Sequence, residues 1–257
     1  YFILLQMKIF RSDNYAVPAF LLAFIFCGAV VGETVSISLI VSSAGSRVLS
    51  KLYLINGVLL LGLPLLFFNN IDRVERGKML SVQLLSSTAI LFSILVLLTV
   101  SLSTGGVWDK YVLLILYPFS YLSKTTLFLT FWTLSNDIFT TSESKKAFPL
   151  ISAWGFAGGL AGACLGRVLI EVAPVELVLV VWTMSYAAAW LFAVRARKRF
   201  SRRLLVPEEI HESSSVGILE NVESVLTSKL VRLIAVLYFF IFIAVFSIDY
   251  LFWNKCH

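Results

Sequence analysis

The chain has 257 residues, of which 59% are hydrophobic and only 14% charged, with a formal net charge of +6. A soluble domain carries about 25% charged and about 45–50% apolar residues, so this composition excludes a water-soluble enzyme, a nucleic-acid-binding module and a disordered chain. It predicts an all-α, polytopic membrane helix bundle whose first partner is the lipid bilayer, with basic loops that meet headgroups and not nucleic acid.

Residues 1–16 form an expected cytoplasmic N-terminus. The short apolar run Tyr1–Met7 precedes Lys8 and Arg11, the reverse of a signal peptide, and the absence of an initiator Met points to a piece of a longer chain. Crossing the hydrocarbon core takes about 20 apolar residues. Seven runs qualify: 17–42, 48–68, 81–102, 111–135, 147–170, 174–195 and 231–254. Pro18, Pro64 and Pro118 fall inside spans, where neighbouring helices re-satisfy the backbone. Pro149 and Pro174 are expected near helix starts, where a missing N–H costs little.

Residues 17–195 are thus expected to be a six-transmembrane bundle, 196–230 a cytoplasmic linker, and 231–257 a seventh membrane helix opening a second half. The linker runs from basic (Arg195 to Arg203) to acidic and Ser-rich (Glu208, Glu209, Glu212). Within it Ile218, Leu219, Val222, Val225 and Leu226 recur at helical spacing, which predicts an amphipathic helix on the membrane surface, either coupling helix or lipid sensor.

Lys and Arg set the orientation. A cytoplasmic N-terminus puts Lys8, Arg11, Arg73, Arg76, Lys78, Lys145, Lys146, the run Arg195–Arg203, Lys229 and Arg232 inside, and leaves Arg47, Lys51, Lys110 and Lys255 outside. The location expected is the cell membrane, N-terminus in. Cys27, Cys164 and Cys256 are too far apart for a disulfide framework or a metal site, and His211 and His257 are isolated. No catalytic constellation, metal or cofactor is expected, and the protein is not expected to be an enzyme.

The stretch Phe131 to Gly166 is more specific. It reads Phe131-Trp132, then Asn136, then Glu143-Ser144-Lys145-Lys146, Phe148, Pro149-Leu150-Ile151 and a Gly-rich helix. This resembles the ATP/ADP translocase (nucleotide transporter) family, allied to the major facilitator superfamily, over about forty residues; Ser144, Lys146 and Trp154 depart from its pattern. The resemblance implies a major-facilitator-like six-helix half plus the first helix of the other half, with the C-terminal half of the same protein as a partner. It implies a secondary active transporter, of antiporter type, that moves a small organic solute by alternating access, with nucleotide (ATP/ADP) exchange as the named activity. It also implies a cytoplasmic gate at Asn136, Glu143, Lys145 and Lys146.

Asp72-Arg73-Val74-Glu75-Arg76-Gly77-Lys78 is similar to the facilitator loop between helices two and three, although Phe68 and Glu75 replace its glycines. Asp72, Arg73 and Arg76 are then gate candidates, pairing across helix ends; the plain alternative is a topogenic basic loop. Gly158, Gly162 and Gly166, with Gly155 and Gly159 on a neighbouring stripe, predict close backbone packing of span five. A phosphate loop is excluded, since the glycines lie within a helix and no Gly-Lys-Ser/Thr follows.

Ionisable groups at depth cost about 2.5–3.5 kcal/mol each unless paired or wet. Arg167 has Glu171 one turn later, so a local pair explains it. Lys124 lies midway along span four on a face with Tyr117, Tyr121, Phe128 and Phe131. Glu33 in span one and Asp249 in span seven have no local explanation. The resemblance implies that spans one, four and seven line the central cavity, so Glu33, Lys124, Asp249, Tyr121 and Phe128 are expected to form a substrate or coupling-ion site, with Glu33 and Asp249 either as partners of Lys124 or as proton or cation couplers. One Lys and two carboxylates suit a triphosphate poorly. The competing expectation is a transporter-like sensor or anchoring module without transport.

Overall fold

The computed structural model describes residues 13–44, 48, 51–60, 75–103, 109–201 and 229–255. Every described element is a helix. In chain order they are α1 (Asp13–Ala44), α2 (Lys51–Leu60), α3 (Arg76–Ser103), α4 (Asp109–Ile138), α5 (Thr141–Val172), α6 (Val175–Arg199) and α7 (Lys229–Lys255). Each coincides with one of the seven apolar runs. Among the described residues four segments are long and apolar enough to cross a membrane: Tyr15–Ser42, Arg76–Val100, Thr141–Val172 and Val175–Arg199. The 30-residue α4 carries Ser120, Ser123, Lys124, Thr125, Thr126 and Thr130 along its middle. The rest of the expected second span, the linker helix at 218–226, and the gate candidates Asp72 and Arg73 lie outside the described residues.

The chain divides into two compact units, Tyr1–Leu39 with Arg73–Leu205, and Ile40–Asp72 with Val206–His257. In the first unit α3 packs most extensively on α6 and next on α4. Leu80, Leu84, Leu91 and Leu98 of α3 are buried, as are Ala189, Ala193 and Ala196 of α6, whose small side chains let the leucines in. The outward faces are the reverse of a soluble protein's. Phe92 on α3, Phe156 and Leu160 on α5, and Met184 on α6 are all more than half exposed, as expected of helices that face lipid. Buried Ser36 and Ser135 donate within their own helices, to Gly32 O (2.6 Å) and Phe131 O (2.9 Å), so these two hydroxyls turn no bare donor toward the apolar interior.

α1 is clasped on two sides by glycine. On one side Gly158 and Gly162 of α5 face the α1 backbone: a Cβ at Gly158 would overlap Ala23, and one at Gly162 would stand 2.5 Å from Cys27 O. Gly159 and Gly166 are looser, since a Cβ there meets side chains no nearer than 3.6 Å and 3.7 Å. The expected five-glycine seam thus narrows to Gly158 and Gly162, with Gly155 against the flexible Leu22 side chain. On the other side Gly28 and Gly32 of α1 lie under the rings of Tyr186 and Trp182 of α6. Gly28-Ala29-Val30-Val31-Gly32 is itself a small-xxx-small sequence.

α5 begins earlier than its apolar run. Thr140 is its N-cap and forms a capping box with Glu143: Glu143 N–H donates to Thr140 Oγ1 (3.4 Å), and Thr140 N–H donates to the Glu143 carboxylate (3.0 Å). The Thr-x-x-Glu pattern satisfies two orphan donors at once and is worth about 1 kcal/mol. The Glu143–Lys146 motif is therefore the first turn of α5 and not a loop, and Pro149 lies inside the helix and not at its start. Pro174 does sit at a start, as the N-cap of α6.

Candidate functional site

Glu33 and Lys124, from α1 and α4, meet. Lys124 Nζ donates to Glu33 Oε2 at 2.5 Å, with side chains 40% and 22% exposed for Lys124 and Glu33 respectively. Tyr121, one turn before Lys124, places its ring 5.3 Å from the ammonium, close enough for a cation–π contact. Phe128, one turn after, is 38% exposed and meets the Phe26 ring of α1 at 5.7 Å and Trp132 at 6.1 Å. Phe26, Glu33, Tyr121, Lys124 and Phe128 thus make one partly open face shared by α1 and α4. The expected aromatic stripe splits: Tyr117 and Phe131 are wholly buried in the core, leaving Tyr121 and Phe128 on the face.

α6 holds both charged groups in place. Trp182 packs on Gly32, the residue before Glu33. Tyr186, fully buried, has its hydroxyl 3.3 Å from the hydroxyl of Ser123, the residue before Lys124. Neither support was read from the sequence, although the Gly28–Gly32 spacing signals the first. Thr34 and Ser36, beside Glu33, donate to Val30 O and Gly32 O. Asp249 belongs to α7 of the second unit, and its side chain lies outside the described residues. Among the described residues no three His, Cys, Asp or Glu side chains converge on a metal-sized site.

A second charged cluster fastens the helix ends predicted to face the cytoplasm. Glu75 and Arg76 are consecutive at the start of α3. Arg76 donates to Asp137 at the end of α4 at 2.5 Å. Glu75 accepts two bonds from Arg197 near the end of α6, both 2.8 Å. The Arg197 guanidinium holds the Glu75 carboxyl below its usual range, so this link is present at neutral pH and fades as pH falls through the lowered value. Of the gate candidates, Arg76 is thus tied to α4, and Glu143 caps α5. Asn136, Lys145 and Lys146 are exposed, and neither lysine has an ion pair among the described residues. Asp137 and Arg197 were not among the candidates; a charge at a helix end carries no mark of a partner so distant in sequence. Between cluster and face, Thr130 donates to buried Gln83 Oε1 (2.9 Å), a further α3–α4 tie. Arg167 and Glu171 form the exposed i,i+4 pair expected of them, at 2.9 Å.

No family model matches the chain, nor does any curated protein or solved structure.

Proposed function

We propose that the protein is a secondary transporter of the major facilitator type, related to the ATP/ADP translocases, moving a small organic solute by alternating access. It works in the cell membrane with its N-terminus in the cytoplasm. The observation that carries this reading is the Glu33–Lys124 pair on a half-open, aromatic-flanked face within otherwise apolar helices. A helix bundle that only anchors a partner gains nothing from charges at this depth, because each costs about 2.5–3.5 kcal/mol unless compensated. Two further features favour rigid-body rocking. Glycines bring α1 close to the α5 backbone and to the Trp182 and Tyr186 rings of α6, and the Glu75–Arg197 and Arg76–Asp137 pairs tie three helix ends into one piece. Nucleotide exchange is the activity the family resemblance implies. The charges oppose it, since Glu33 already neutralises Lys124 and the described parts of α1 and α4 hold no other cation at mid-depth.

Full-length protein in proteoliposomes, loaded with unlabelled solutes and given labelled ones outside, tests the reading. Counterflow of at least one small organic solute is the expected result. Absence of counterflow for nucleotides, sugars, amino acids and organic acids alike would leave an anchoring or sensing module as the better description.

A further inference from the structure

We infer that the Glu33–Lys124 face recognises a zwitterion, a solute carrying an ammonium and a carboxylate group close together on an apolar body. The inference rests on the transport reading and names its substrate class. Its basis is the electrical balance of the pair. Lys124 and Glu33 satisfy each other at 2.5 Å, and the pair has no net charge. A solute with a single net charge engages one member and strands the other, leaving an uncompensated charge away from bulk water. A polyanion is worse, because one Lys already bound to a carboxylate is its only cation among the described mid-depth residues of α1 and α4. An uncharged solute gains nothing from parting the pair. A zwitterion can part it at no net cost in charge: its carboxylate takes the Lys124 ammonium, its ammonium takes the Glu33 carboxylate, and every charge keeps an opposite neighbour.

The surroundings fit the rest of such a molecule. Tyr121 lies 5.3 Å from the Lys124 ammonium, a cation–π contact that keeps the lysine supported while its carboxylate partner is exchanged. Phe26 and Phe128, in edge contact at 5.7 Å, provide an apolar wall on the other flank. The partial exposure of both charged side chains makes the exchange sterically open from the face itself. An α-amino acid with a large apolar side chain has all three elements.

The test is equilibrium binding to the purified full-length protein. L-phenylalanine and L-leucine are compared with 2-phenylethylamine, which lacks the carboxylate, 3-phenylpropionate, which lacks the ammonium, and ATP. The expected result is saturable binding of the amino acids, with each singly charged analogue and ATP weaker by about tenfold or more. Glu33→Gln and Lys124→Met each remove the preference. The charge-swapped double variant Glu33→Lys/Lys124→Glu keeps it, because the neutral pair is preserved with its polarity reversed; this variant also separates lost recognition from lost folding. Equal or tighter binding of a singly charged analogue or ATP, or no amino-acid binding by the wild-type protein, overturns the inference. If counterflow of another solute class persists in that case, the transport reading stands alone. If no class shows counterflow, both fall.

Discussion

Lys124→Ala is expected to abolish uptake and to lower the stability of the purified protein, and adding Glu33→Gln should restore the second property without the first. Removing the lysine leaves the Glu33 carboxylate, only 22% exposed, without its cation. An exposed pair is worth about 0–1 kcal/mol, and breaking a buried one on one side costs about 3–5 kcal/mol. This half-open pair falls between, so a loss of about 1–3 kcal/mol is expected. Glu33→Gln removes the stranded charge and with it most of that loss. Transport stays absent because neither charge is left to engage solute. Melting temperature and proteoliposome uptake, measured on the two singles and the double, separate the roles. A double variant that regains uptake would reduce the pair to a structural brace.

Gly158→Val should be the most damaging substitution in the α1–α5 seam. Even a Cβ at this position would overlap the Ala23 backbone, which cannot turn away as a side chain can. Overpacking in a tight interface costs about 1–3 kcal/mol, and a clash with backbone belongs at the upper end or beyond. The helices must separate, and α1 carries Glu33 with it, so uptake should fall even in the surviving protein. Gly159→Ala is the matched control. A Cβ there stands 3.6 Å from the Phe26 ring, an ordinary contact, and stability should change by less than about 1 kcal/mol. Thermal melts in detergent report both. Equal tolerance of the two substitutions would mean that α1 and α5 do not approach as closely as described.

Much of the helical layout was legible in the sequence because hydrophobic runs of membrane length carry their own signal. Each of the seven apolar runs coincides with a helix or with part of one. The run of Ser and Thr with Lys124 along α4 is what marks it as a site helix. The Gly158–Gly162 seam was legible for the same reason as the runs: small residues one turn apart have one main use in lipid. Glu143 carries a second, local signal. Its spacing from Thr140 is that of a capping box, a purely local pattern legible as Thr-x-x-Glu. Pairings over long sequence distance were the hardest. Lys124 and Glu33 are unexplained charges in the sequence and so candidate partners, but Asp249 is an equal candidate there, and which of them meets Lys124 is a property of packing; so too are the pairs Arg76 with Asp137 and Glu75 with Arg197.

The central claim is that the α1–α4 face is a wet pathway and not one more lipid-covered surface. Thiol accessibility tests it most directly, in full-length protein with Cys27, Cys164 and Cys256 replaced by Ala. Phe128 on this face is 38% exposed, whereas Phe92 on the outer side of α3 is 59% exposed. With Phe128→Cys and Phe92→Cys reconstituted in both orientations, a membrane-impermeant maleimide should modify the first and spare the second, despite the greater exposure of position 92. Modification of the Phe92→Cys protein with protection of the Phe128→Cys protein from both sides would contradict the account.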